Sequence, residues 1–240
     1  EIKRTNLASV ILRMLSLNLG DIEKFPYLEK PEAKAINDGF KLLNELNAIN
    51  QNRELTAIGK KMAILPVDPK LSRMLVVANT QACLHEILII VSALSIQDPR
   101  ELYGDFSQQA QERLAKFNHQ DSDFLSLVNL WADYEKRRQE STQNQLKKYC
   151  KIHFLSFMRM REWREVHRQL LLSCKQLGLR INKEPGTYEA IHRTIISGSL
   201  NQIATKLDNK VYAGSRNKRF AVSRTSVVTS LKAKWIVTGE

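Results

Sequence analysis

Residues 144–177 read NQLKKYCKIHFLSFMRMREWREVHRQLLLSCKQL, and this stretch decides the fold class. Tyr149, Cys150, His153, Phe154, Phe157, Met160, Trp163, Val166, Leu170, Leu171 and Cys174 recur mostly at steps of three and four, the apolar stripe of a core-facing helix. Between them stand Lys147, Lys148, Lys151, Arg159, Arg161, Arg164 and Arg168. The spacing predicts one continuous helix from Asn144 to Leu177, stopped by Gly178. Its cationic face is either solvated surface or the wall of a polyanion channel, and this stretch alone leaves both open.

The residues before it read as further helices. Leu7, Val10, Ile11, Met14 and Leu15 mark a first helix, and Ile36, Phe40, Leu43 and Leu46 a second. After the polar turn NQNRE, Leu55 can pair as a strand and Thr56 can cap a short helix. Helix, helix, short strand and turn is the pattern of a winged helix, and residues 1–66 are assigned to one. This block is nearly neutral, which favours a structural or docking role over free-standing DNA binding. Asp68 and Pro69 restart the chain as N-cap and first helical residue. Leu84 to Ile96 is apolar nearly all round and reads as a central buried helix. The stretch 101–120 reads as a loop with broken helix. A helix capped within Asp121, Ser122 and Asp123 follows, and Thr187 starts the last one. Residues 67–199 are therefore a helical bundle. Past Leu200 the period changes: Val211-Tyr212, Phe220 to Val222, Ser226 to Val228 and Trp235 to Val237 are β-branched or aromatic bursts. Residues 200–240 read as the first strands of a small barrel that stops before closing. The fold class is mainly α, a winged helix and a bundle with a small C-terminal β segment.

Charge is distributed unevenly. Residues 101–135 carry two Lys/Arg against seven Asp/Glu, residues 136–183 thirteen against three, and residues 206–239 eight against one. Two basic blocks within a net charge of +12 are the electrostatic footprint of a phosphate-backbone binder. Within the second block Arg216, Asn217, Lys218 and Arg219 form a basic hairpin tip beside Phe220, which suits phosphate contact with base stacking. Cys83, Cys150 and Cys174 sit in apolar helical patterns, so reduced, buried thiols and a cytoplasmic location are expected. No run reaches about eighteen apolar residues, so no membrane span is expected. The abrupt start at Glu1 and finish at Glu240 suggest a segment of a longer protein.

Catalytic chemistry finds no footing. His85-Glu86 lacks a second histidine at position 89, and on a continuous helix His153 and His167 would lie about 21 Å apart, too far for one ion. Neither a phosphate loop, a dinucleotide fingerprint nor a nucleophile elbow occurs. We expect no catalytic residue, no metal site and no cofactor in these residues.

Six strings together carry a resemblance: EIKRTNLASVILRMLSLNLGDIEKFPYLEKP, LTAIGKKMAILPVDPKLSRML, EILIIVSALSIQDPRE, DSDFLSLVNLW, NQLKKYCKIHFLSFMRMREWREVHRQL and YAGSRNKRFAVSRTS. They resemble the C-terminal accessory region of DEAH-box RNA helicases, the bacterial HrpA type above all, over essentially the whole chain. The resemblance implies a winged helix, a ratchet-like helical domain and the start of an oligonucleotide-binding (OB-fold) barrel. It also implies upstream RecA-like motor domains that hold ATP and Mg²⁺, and single-stranded RNA as partner. The Walker and Asp-Glu-x-His motor motifs are missing from these residues, so no ATPase activity is expected of them. RNA-facing surfaces would fall on the helix from Asp121 to Trp131, on Asn144 to Arg168, and near Arg216 to Arg219. The nucleic-acid-binding set expected is Lys147, Lys148, Lys151, Arg159, Arg161, Arg216, Asn217, Lys218 and Arg219. The rival reading is a protein-docking scaffold whose basic face meets acidic partners.

Overall fold

The computed structural model describes residues 4–27, 31–102, 107–208, 211–215, 219–229, 231 and 233–238. In chain order it runs α1 (Arg4–Ser16), α2 (Ala33–Glu45), α3 (Ala57–Met62), α4 (Pro69–Thr80), α5 (Leu84–Leu94), α6 (Ser107–Leu114), α7 (Asp123–Glu140), α8 (Gln143–Ile152), α9 (Phe157–Gln176) and α10 (Tyr188–Gly198). Strands β1 (Ile203–Asp208), β2 (Val211–Gly214), β3 (Arg219–Ala221) and β4 (Trp235–Val237) complete it. The mainly helical class with a small terminal sheet is as expected. Two compact units emerge, one of Glu1–Ile87 with Leu170–Gly198 and the other of Leu88–Gln169 with Ser199–Glu240. Helices α5 and α9 each contribute one end to each unit.

In the first unit local signals set the boundaries. Thr56 caps α3 by accepting from the Gly59 amide at 2.9 Å, and Asp68 caps α4 by accepting from the Lys70 amide at 2.8 Å, with Pro69 at the first helical position. Ile49 and Leu55 form one antiparallel bridge around a turn in which the Asn50 carboxamide oxygen accepts from the Asn52 and Glu54 amides. Helix α1 packs on α2, and α4 on α10. The latter contact depends on Gly198, where a Cβ would stand 2.2 Å from the Lys70 carbonyl oxygen. Ahead of α10, the buried Glu86 carboxylate accepts from the Gly186 amide at 3.0 Å and the Asn182 carboxamide at 3.1 Å, pinning the connecting loop.

The second unit is built on Trp163, which is fully buried and donates its indole N–H to the Ile89 carbonyl (3.1 Å) and the Ser92 hydroxyl (2.9 Å). Trp131 lies against it with ring centroids 5.0 Å apart, and Leu130, Tyr134, Leu146, Cys150 and Met160 close the core. The expected continuous helix over 144–177 is two helices instead. Phe154 takes φ +52°, the Leu155 amide donates back to the Cys150 carbonyl at 2.9 Å, and Phe154 donates to Lys151 at 3.3 Å. This is a Schellman ending with Phe where Gly is usual. The freed segment pairs with residues 99–101: the Ser156 amide donates to the Pro99 carbonyl at 2.9 Å, the Glu101 amide to the Phe154 carbonyl at 2.8 Å.

The sheet is antiparallel with strand order β3-β2-β1-β4. Two expectations fail here. Ser226–Val228 is no strand, because Val227–Thr229 forms a 3-10 turn held by the Asp123 carboxylate. Strand β1, IATKLD, has no counterpart among the expected strands, since its buried member is the small Ala204 and its alternation is interrupted by Lys206 and Thr205.

Candidate nucleic-acid interface

Helix α8 opens with a capping box. The Thr142 hydroxyl accepts from the Gln145 amide, and the Gln145 side chain accepts from the Thr142 amide at 2.8 Å. That anchors α8 in one rotational setting, with Leu146, Tyr149 and Cys150 buried. Lys147, Lys148 and Lys151 are consequently exposed on its other side. The break at Phe154 lets the start of α9 return toward α8. The half-buried Phe157 ring has the Lys147 ammonium 5.5 Å from its centroid and the Arg161 guanidinium 6.0 Å away.

Neighbouring cations divide by their partners. Arg164 pairs with Glu135 at 2.6 Å, Arg138 with the same carboxylate at 3.0 Å, and Arg168 with Glu165 at 2.7 Å. Arg159 is half-buried and donates to the Asp98 carbonyl at 3.0 Å, so it tethers α9 to the 98–101 segment. Among the described residues Lys147, Lys148, Lys151 and Arg161 have no carboxylate partner. Arg219 is exposed at the start of β3. Arg216, Asn217 and Lys218 lie outside the described residues.

Behind α8 is a polar cluster that sequence reasoning missed. The Tyr149 hydroxyl donates to the Asp133 carboxylate, and the Lys116 ammonium lies 3.5 Å from that carboxylate and 3.4 Å from His153 Nε2. Burial, then the hydrogen bond to Asp133, push the Tyr149 phenol well above its ordinary range. Burial, with Lys116 second, holds the His153 imidazole below its ordinary value. His153 Nδ1 is buried without a hydrogen-bond partner. All three cysteines are buried free thiols, and burial pushes Cys150 up to about 11 and Cys174 to about 12. Such thiols are poor nucleophiles.

Helix α7 turns one face into the core, as its apolar spacing predicts. Leu127, Leu130 and Trp131 are core, and Ser122 rather than an aspartate is the N-cap. Asp123, in the first turn, accepts from the Ser226 hydroxyl and, at 3.1 Å, from the Val227 amide. Beside this tie opens a cavity of about 190 Å³ lined by Arg100, Phe117, Asn118, Arg224 and Thr225 among others. Arg100 is held by Asp98 at 2.8 Å, whereas Arg224 has no ion pair among the described residues. A basic residue following the β-burst at Phe220–Val222 was the available signal for Arg224. No helix of the described residues is long and apolar enough to cross a membrane.

The comparisons with known proteins agree with one another. Residues 40–67 match the winged-helix part of the helicase-associated domain (HA2), and residues 68–149 match its ratchet-like part. The whole chain is 42% identical to a Haemophilus influenzae protein described as ATP-dependent RNA helicase HrpA homolog, and 41% identical to the Escherichia coli ATP-dependent RNA helicase HrpA. It spans 19% of the length of each.

Proposed function

We propose, on the premise that this chain is the winged-helix and ratchet-like helicase-associated region of an HrpA-type helicase, that it holds single-stranded RNA for an ATP-driven motor elsewhere in the longer protein. One observation supports the RNA-holding role: Lys147, Lys148, Lys151 and Arg161 stand exposed, with no carboxylate partner among the described residues, and Lys147 and Arg161 lie 5.5 and 6.0 Å from the Phe157 ring. Four cations with a half-exposed ring are suited to phosphate contact without sequence readout. Arg216, Asn217, Lys218 and Arg219 are proposed as further RNA contacts from their charge and their place beside Phe220 in the sequence. Arg159 acts chiefly to set the angle of α9 through Asp98.

These residues contribute binding and position, with no step of ATP hydrolysis assigned to them. ATP and Mg²⁺ are assigned to the motor, because the chain carries no phosphate loop of its own. An expected reading of the winged helix at 1–66 as a docking element for that motor follows from its near-neutral charge.

Binding of a fluorescein-labelled oligouridine, followed by anisotropy across a salt series, tests the proposal. Each phosphate contact on a single strand contributes about 0.7 to the log–log salt slope. Four contacts thus contribute about 2.8, roughly a fifty-fold loss of affinity between about 50 and about 200 mM salt. Alanine at all four positions should remove that part of the slope. An unchanged slope would count against the interface. Binding to an acidic protein partner that RNA does not displace would instead favour a docking scaffold.

A further inference from the structure

His153 closes α8 as its C-cap, one residue before the left-handed Phe154 that turns the chain into α9. Its ring centroid lies 4.6 Å from that of Tyr149 and 6.0 Å from that of Phe117. Four charged groups face the ring: Arg113 of α6, Lys116 of the 3-10 turn Ala115–Phe117, and Asp133 and Arg137 of α7. Tyr149 is the titratable neighbour on its own helix. Lys116 joins these groups into a chain of contacts. The Tyr149 hydroxyl donates to Asp133, Lys116 Nζ lies 3.5 Å from the same carboxylate, and it lies 3.4 Å from His153 Nε2. Tyr149 and His153 stand one turn apart on α8, so the chain of contacts returns to the helix it started from.

An ammonium has only protons to offer. The contact between Lys116 Nζ and His153 Nε2 is therefore a hydrogen bond only while Nε2 keeps its lone pair, with the ring proton on the buried Nδ1. A proton added to Nε2 sets two donors and two positive charges face to face. The carboxyl end of α8 favours a cation at His153. Three of the four charged groups facing the ring are cations, however, and the nearest must give way before the ring can hold a proton. Lys116 has room to leave. Its side chain and that of Asp133 are each 44% exposed, so both reach water. Beyond these two polar contacts only the faces of Phe117 and Tyr149, with centroids 4.5 and 5.5 Å from the ammonium, attract it.

We propose that His153 is an acid-released latch: as a neutral acceptor it holds Lys116, and with it the 115–117 turn, against the carboxyl end of α8, and its protonation expels Lys116 and loosens that turn. The proton comes from solvent and goes to Nε2, and only hydrogen bonds break. The latch does not rest on the RNA-holding role and stands or falls separately from it.

Hydrogen–deuterium exchange of the 240-residue chain at stepped pH tests the latch, each rate being divided by that of an unstructured peptide at the same pH. Between about pH 7.5 and about pH 5 the protection of residues 113–118 should fall about tenfold, the scale of one lost hydrogen bond to a charged group, while peptides of α7 and α9 keep theirs. His153→Gln retains an acceptor that cannot be protonated, so its 113–118 protection should not respond to pH. Lys116→Met removes the ammonium and leaves an apolar stem against Phe117, so protection there should be equally low at both ends of the range. In that variant the His153 imidazole, followed by its ring-proton resonance, should titrate at higher pH than in the parent chain. A fall smaller than about threefold in the parent chain overturns the latch. So does an undiminished fall in His153→Gln, which would trace the effect to His119 on the following loop. Should His153→Gln fail to fold, Lys116→Met decides: a fall that persists without the ammonium, or an unmoved His153 titration, overturns the proposal.

Discussion

Replacing Asp123 with alanine tests how the β segment is tied to the helical part of its own unit. The carboxylate accepts from the Ser226 hydroxyl and from the Val227 amide, both part-buried. A hydrogen bond to a charged group contributes about 1.5–3 kcal/mol net. Two that share one carboxylate are not additive, and water can reach the half-buried Ser226, so we take about 2 kcal/mol as the lower working figure. The loss should be local. Ser122 still caps α7, and Leu127, Leu130 and Trp131 still hold it in the core. Opening of the 223–229 turn is therefore the affected equilibrium, and about 2 kcal/mol there is about thirty-fold faster amide exchange. Hydrogen–deuterium exchange read peptide by peptide is the assay. Residues 223–229 should lose protection while those of α7 and α9 keep theirs, and Asp123→Asn, which retains an acceptor oxygen, should lie between. Exchange of the Val227 peptide within about threefold of the parent chain would refute the reasoning, because the tie would then carry no energy.

Two further outcomes follow from local geometry. Gly178 closes α9 at φ +71° with nothing within 4 Å of the place an added Cβ would take, so Gly178→Ala meets only backbone strain and should cost about 1–2 kcal/mol in urea unfolding. The His153 imidazole is held below its ordinary 6.5, so the unfolded chain binds its proton first. Its contribution to stability is full above that value and is lost as pH falls through it toward the lower folded value; His153→Gln should flatten this limb in denaturation curves taken at stepped pH.

Much of the architecture is written in short-range signals. Thr56, Asp68 and Pro69 mark helix starts by side chains that reach amides two or three residues on, and Gly178 marks a stop by its backbone freedom. The apolar periodicity identified Trp163, Leu170 and Cys174 as core, and they are buried. The same periodicity concealed the break at Phe154. The stripe continues in phase across it, and no glycine or proline announces it. Likewise β1 was illegible because its core contact is made by Ala204, a residue with almost no hydropathic signature.

The sequence by itself determined the helical class, the terminal change to strands and the two basic blocks, because composition and periodicity are properties of neighbouring residues. Only the tertiary structure decided which cations stay available. Arg164 and Arg168 looked the same as Lys147 and Arg161 in the string, until Glu135 and Glu165 took the first pair. Arg159 was spoken for by a carbonyl sixty-one residues earlier. The contacts that link Tyr149, Asp133, Lys116 and His153 exist only in the packing of α7 and the 115–117 turn on α8, since such neighbours are set by the fold and not by distance along the chain.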